Sequence, residues 1–190
     1  MLLLVALLSL PACAPHPSPP AAALGASPSA GPPAPTDDGT APRPFTAEQI
    51  RDNHPDGTVV RLRMENAADP PVVMEWTFTG GTVTEATIGS KLFAADGTLL
   101  QDEGAGTSRW TELREHAAFP AAATTRTEEV VTVPAGRFEC WRYHVVKDGQ
   151  TRDYWFAKTE PGPPVQMEVH GPDGQLVQRM SLLSRAEPGV

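Results

Sequence analysis

The chain of 190 residues carries 23 acidic and 15 basic side chains, for a formal charge of −8 and an isoelectric point near 5.1. Its length suits one folded domain with an appendage. The acidic balance, without a clustered Lys/Arg surface, argues against nucleic acid as a partner. Of the 21 prolines, 11 fall in the first quarter, so the composition averages two different segments.

The chain opens on MLLLVALLSLPAC. The apolar run 2–10 is shorter than the roughly 20 residues that span a bilayer and has the length of a signal-peptide core. On these residues alone it is such a leader, or a short buried helix with an incidental cysteine. Leu10-Pro11-Ala12-Cys13 resembles the lipobox of bacterial lipoproteins. That resemblance implies a signal peptide over 1–12, cleavage before Cys13, and acylation of the Cys13 thiol and often of its new amino group. Each buried CH₂ contributes about 0.8 kcal/mol, so two or three acyl chains would hold the protein at a membrane. With Ala14 rather than aspartate after the cysteine, it further implies an exported protein sorted to the outer membrane, facing the periplasm or the cell surface.

Residues 13–44 then form a linker. From Ala14 onward they are nearly all Pro, Ala, Ser and Gly, with no apolar period, and are expected to be disordered. Such a tether averages roughly 30 Å end to end if it behaves as Gly/Ser coil, and reaches about 90 Å as polyproline II. It serves as a spacer, or as a ligand for a polyproline-reading partner.

A domain is expected over 45–185, with 186–190 as a tail. Thr46 stands three residues before Gln49, a capping-box spacing that starts a short helix running to about Asn53. Alternation follows. Val60, Leu62 and Met64 share one face and Arg61, Arg63 and Glu65 the other; Met74, Trp76 and Phe78 alternate with Glu75, Thr77 and Thr79. This period of two marks a half-buried antiparallel sheet. Strands are expected at 58–66, 71–80, 82–95, 98–103, 126–133, 137–147, 150–158, 164–171 and 175–184. The segment from about 110 to 118, poor in β-branched residues, reads as a second helix that ends before Pro120. Asp-Gly pairs at Asp56-Gly57, Asp96-Gly97, Asp148-Gly149 and Asp173-Gly174 suit hairpin turns. The expected fold is mainly β: a single large curved antiparallel sheet, an open half-barrel of about nine strands, with two short helices.

Candidate chemistry is sparse. His54, His116, His144 and His170 lack the local spacing of a metal site and read as surface or rim residues. There is no G-x-S-x-G elbow, no S-x-x-K and no phosphate loop. Glu128-Glu129 reads as a solvated strand entry. Cys140 is either a small buried filler or a thiol activated by Arg137 and Arg142; burial is the commoner case. The aromatic residues say more. Trp141 and Tyr143 alternate on one strand and Tyr154 and Phe156 on the next, joined at Asp148-Gly149, so the rings are cross-strand neighbours. With Trp76 they form either a filled core or the concave face of an apolar binding site.

The run VTVPAGRFECWRYHVVKDGQTRDYWFAK, followed by PGPPVQMEV, resembles a pattern found in many uncharacterised secreted bacterial proteins. The matching positions are Val133, Pro134, Ala135 and Gly136, then Phe138, Cys140, Asp148, Gly149, Trp155 and Ala157. The match covers 127–183, about a third of the chain. Those proteins are similar to the lipoprotein-localisation factors, half-barrels whose helices lid an apolar concave face. The resemblance implies that fold and no catalytic residues or cofactor. The sequence thus points to a non-enzymatic, lipid-anchored envelope protein that binds an apolar molecule or lipid. Two alternatives stand beside it: an envelope assembly protein that contacts another protein through a sheet edge or its aromatic face, and a hydrolase whose site is assembled only by the fold.

Overall fold

The structure, a computed structural model, describes residues 36–188. The lipobox, Cys13 and most of the linker lie outside the described residues. The elements run in the order α1 (Ala47–Asp52), β1 (Val59–Asn66), β2 (Asp69–Thr79), β3 (Glu85–Ala94), β4 (Leu99–Arg109), α2 (Trp110–Glu115), β5 (Thr124–Val133), β6 (Gly136–Lys147), β7 (Gln150–Ala157), β8 (Gln166–His170) and β9 (Leu176–Ala186), with a 3₁₀ turn over Ala121–Ala123. The nine strands make one antiparallel sheet in the order β4-β3-β2-β1-β9-β8-β7-β6-β5.

Two meanders explain that order. The first steps outward from β1 to β4; the second steps inward from β5 to β9 and closes on β1. The chain must therefore cross from one edge of the sheet to the other between β4 and β5. The crossing segment carries α2, which packs beside α1 over one face. The sheet stays open: β4 and β5 are its edges. Register shifts in the β1–β9, β3–β4 and β8–β9 pairs place the bulges that curve it. The β5–β6 turn curls round far enough for Ala135 N–H to reach Leu182 O at 3.1 Å.

The expected period of two is realised in the pairing. Val60 faces Trp76 and Leu62 faces Met74 across β1–β2, while Arg61 faces Glu75 on the other side. Across β6–β7, Trp141 faces Phe156 and Tyr143 faces Tyr154. The core joins Leu62, Phe78, Tyr143, Phe156 and Leu182 of the sheet to Phe45, Ile50, Trp110 and Phe119 of the helical layer. Each large apolar side chain buried this way contributes roughly 1.5–3 kcal/mol. Thr46 caps α1 with the reciprocal Gln49 bond that the spacing predicts.

Two departures from expectation have physical causes. First, β4 continues to Arg109 instead of stopping near 103. Its second half, Gly104-Ala105-Gly106, lacks alternation because Gly104 and Gly106, paired with Ser90 and Ile88, carry no side chain, with Gly104 at φ +76° beside a register shift. Second, residues 36–44, grouped with the linker by composition, pack as a strap. Ala41 is fully buried and donates to Phe119 O at 2.8 Å, and Thr40 bridges to Pro120. Arg43 pairs with Asp38 at 2.8 Å and with Glu115 of α2 at 2.5 Å. Both helices cover one face of the sheet. On the other, Trp155 is covered by the Arg142 guanidinium, 5.3 Å from the ring centre. Arg142 and His144 also hold the buried Asp153 carboxylate, at 2.8 and 2.9 Å. Asp153 stands directly opposite Glu168 in the register, and Glu168 takes a compensating bond from Arg179 at 2.9 Å.

Candidate functional site

Between the two helices and the sheet lies an apolar cavity of about 430 Å³, within the range of small-molecule sites. The sheet supplies Trp76 and Phe78 from β2, Ile88 from β3, Tyr154 and Phe156 from β7, and the cross-strand pair Met167 and Met180. Ile50 and His54 come from α1 and the residues just after it, and Leu113 from α2. Pro44 and Phe45 close one side where the strap ends, and the 162–164 loop, Gly-Pro-Pro, closes another.

The five aromatic residues singled out by alternation divide. Trp76, Tyr154 and Phe156 line the cavity. Tyr143 does not: it is fully buried, its ring 5.5 Å from Phe119 and 5.6 Å from Phe156, and its hydroxyl donates to Pro42 O of the strap at 2.6 Å. Trp141 stands to the side, 5.8 Å from Phe45 and beneath the Arg126 guanidinium at 4.9 Å. Part of the aromatic face is thus core and part is cavity wall. Phe45 was missed because a loop residue carries no period-two signal, and Met167 and Met180 because only the β8–β9 register sets them opposite each other at the cavity.

His54 corrects its reading as a surface residue. It is 2% exposed, its ring 4.3 Å from Phe78, and its Nδ1 donates to Ile50 O at 2.8 Å. Burial holds its pKa down at about 4, so the ring is neutral near pH 7. Nε2 has no partner among the described residues. It faces Gly162, where an added Cβ would lie 3.1 Å from Nε2 and 2.6 Å from Cε1, so a glycine is needed there. The other histidines stay apart: His116 is exposed, His144 is held by Asp153, and His170 lies 3.9 Å from Glu168. Among the described residues no group of three His, Cys, Asp or Glu side chains stands ready to hold a metal.

Cys140 is fully buried, and burial, with Glu129 nearby, pushes its thiol up to about 11. Arg142 is engaged by Asp153 and Glu129 and does not activate it. Among the described residues no helix is long and apolar enough to cross a membrane.

No protein-family model and no curated protein matches this sequence. Solved structures with a similar chain path include a "putative exported protein with YmcC-like fold" from Bacteroides fragilis, at TM-score 0.48 and 12% identity over 70% of this chain and 97% of that one. A "putative lipoprotein" from Parabacteroides distasonis follows at TM-score 0.45 and 10% identity, over 70% and 96%. A chain of the Pseudomonas aeruginosa MucA/MucB complex gives TM-score 0.46 and 10% identity, over 73% of this chain and 54% of its own length. At these identities the likeness concerns fold alone.

Proposed function

We propose that this chain is a lipid-anchored protein of the bacterial cell envelope that binds an apolar molecule, without catalysis, in the cavity of its half-barrel. The observation that carries the reading is that cavity: about 430 Å³, walled by aromatic and methionine side chains beneath two short helices. Leaving such a surface wet is unfavourable, and filling it with an apolar molecule recovers roughly 25 cal/mol for each Å² removed from water. The anchor is Cys13, supported by the apolar run and lipobox before it, with Ala14 favouring the outer membrane. The Pro/Ala-rich residues after it hold the domain off the bilayer. Native mass spectrometry of the purified protein tests the cavity: an added mass that solvent extraction removes is expected, and a homogeneous apo mass from several expression hosts would speak against it. Membrane fractionation of Cys13→Ala tests the anchor; unchanged membrane association would exclude lipidation at that residue.

A second reading has its own support. β4 is an eleven-residue edge strand that exposes Leu99 and Leu100, and an open edge can accept a strand from another protein. A charge placed at Leu100 would then abolish partner recovery from envelope extracts and leave cavity occupancy intact.

A further inference from the structure

His54 borders two spaces at once. It lines the apolar cavity, and it also lines an open surface recess beside Arg51, Asp56 and Trp110. Its ring thus stands between cavity and solvent at the end of α1. Nδ1–H donates to Ile50 O at 2.8 Å, so in the neutral ring Nε2 carries a lone pair. Nε2 is buried without a partner among the described residues, and the ring edge lies against Gly162. A lone pair is tolerated there. Protonation would put a charged N–H into an apolar wall with no acceptor. Burial weighs most against that charge, and Arg185 of β9 adds to it more than Glu187 takes away. Glu160 shares a small chamber with His54 and Arg185, while Arg51 and Asp56 stand on the recess side. The ring also joins two movable walls. Asn53 Nδ2 at the end of α1 donates to Pro161 O at 2.7 Å, and Gly162 packs on the His54 ring; α1 and the 162–164 loop both line the cavity.

We propose that His54 is an acid-sensitive latch: the neutral ring keeps α1 and the 162–164 loop closed over the cavity, and the protonated ring turns out into the recess beside Asp56 and loosens both walls. The inference rests on the reading of the half-barrel as a carrier of apolar molecules and adds a trigger for release. Burial holds the closed-state pKa at about 4, against 6.5 for an exposed ring. Above pH 6.5 both states are neutral and closure is at full strength. As pH falls the open state binds the proton first, so closure weakens progressively down to about pH 4. Between about pH 7.5 and pH 5 the ratio of open to closed rises roughly thirtyfold.

The test follows release of the fluorescent dye N-phenyl-1-naphthylamine from delipidated full-length protein by stopped flow over this pH range. The dissociation rate should rise roughly thirtyfold in wild type. It should stay flat in His54→Phe, which keeps a ring against Phe78 and has no proton to take up. Hydrogen exchange on unliganded wild-type protein needs no variant to fold. The Asn53 and His54 amides, which donate to Gln49 O and Arg51 O, should lose protection by about the same factor and stay less protected than β6 amides at every pH, the mark of a local opening. A pH-independent dye release in wild type, equal acid acceleration in His54→Phe, or equal protection of α1 and β6 would overturn the latch and leave the carrier reading standing. Failure of the dye to bind near pH 7.5 would remove the carrier reading, and the exchange measurement would still decide whether acid opens α1.

Discussion

Tyr143→Phe isolates the bond that holds the strap. The hydroxyl is buried and donates to Pro42 O at 2.6 Å, while the ring contacts with Phe119 and Phe156 survive the substitution. The variant therefore loses one hydrogen bond and leaves the Pro42 carbonyl without its donor, and packing is otherwise unchanged. A net bond contributes about 1 kcal/mol, and an orphaned buried acceptor adds to the loss, so about 1–2 kcal/mol is expected. For a domain of this size that corresponds to a fall in Tm of roughly 2–8 °C. Guanidinium unfolding should show a lower midpoint at constant slope. The loss should also be local. The Ala41 amide, which donates to Phe119 O at 2.8 Å, should exchange with solvent faster while β1 and β6 amides keep pace with global stability. An unchanged midpoint with unchanged Ala41 exchange would refute the reasoning and leave the strap to its Arg43 ion pairs.

Three further outcomes follow from the buried polar groups. His54 has a folded pKa of about 4 against 6.5 unfolded. Above pH 6.5 both states are neutral and its stability is intact; as pH falls, the unfolded chain binds the proton first, and stability is lost progressively down to about pH 4. The loss is about 3 kcal/mol, read as the difference in pH dependence of the unfolding midpoint between wild type and His54→Phe; parallel curves would contradict it. Arg142→Ala uncovers Trp155 and removes one of the two donors to Asp153 opposite Glu168. It should cost about 2 kcal/mol in urea unfolding, with Arg142→Lys recovering part; no loss would show that solvent replaces the guanidinium freely. Cys140, with its thiol pushed up to about 11, should resist iodoacetamide at pH 8 in the native state and react once unfolded; native labelling at the rate of an exposed thiol would contradict its burial.

Much of the sheet was legible because its signal is local. Val60, Leu62 and Met64 must share a face if the strand is half-buried, and Asp148-Gly149 fixes the register that sets Trp141 against Phe156. The second half of β4 was not legible: Gly104 and Gly106 have no side chain to alternate, and only their partners on β3 make them strand. The strap was hidden for a similar reason. Ala41 and Pro42 read as linker, and what orders them lies far along the chain: the Phe119 carbonyl, which accepts from Ala41 N–H, and the Tyr143 hydroxyl, which donates to Pro42 O. His54 looked like a rim residue because its burial comes from Phe78 and Gly162, which no spacing announces.

The sequence by itself determined the periodic part of this protein: the mainly β class, the two helices near their true places, and the apolar aromatic positions on one side of the sheet. Alternation and capping act between neighbours in the chain, so they can be read there. Tertiary structure alone decided which of those rings became core and which became wall. Tyr143 and Tyr154 are partners in one hairpin with the same local pattern. The strap settles on Tyr143 and takes its hydroxyl, whereas Tyr154 is left lining the space beneath the two helices. That space exists because the chain has to cross from β4 to β5 over the open face, a consequence of topology that no short stretch of sequence contains.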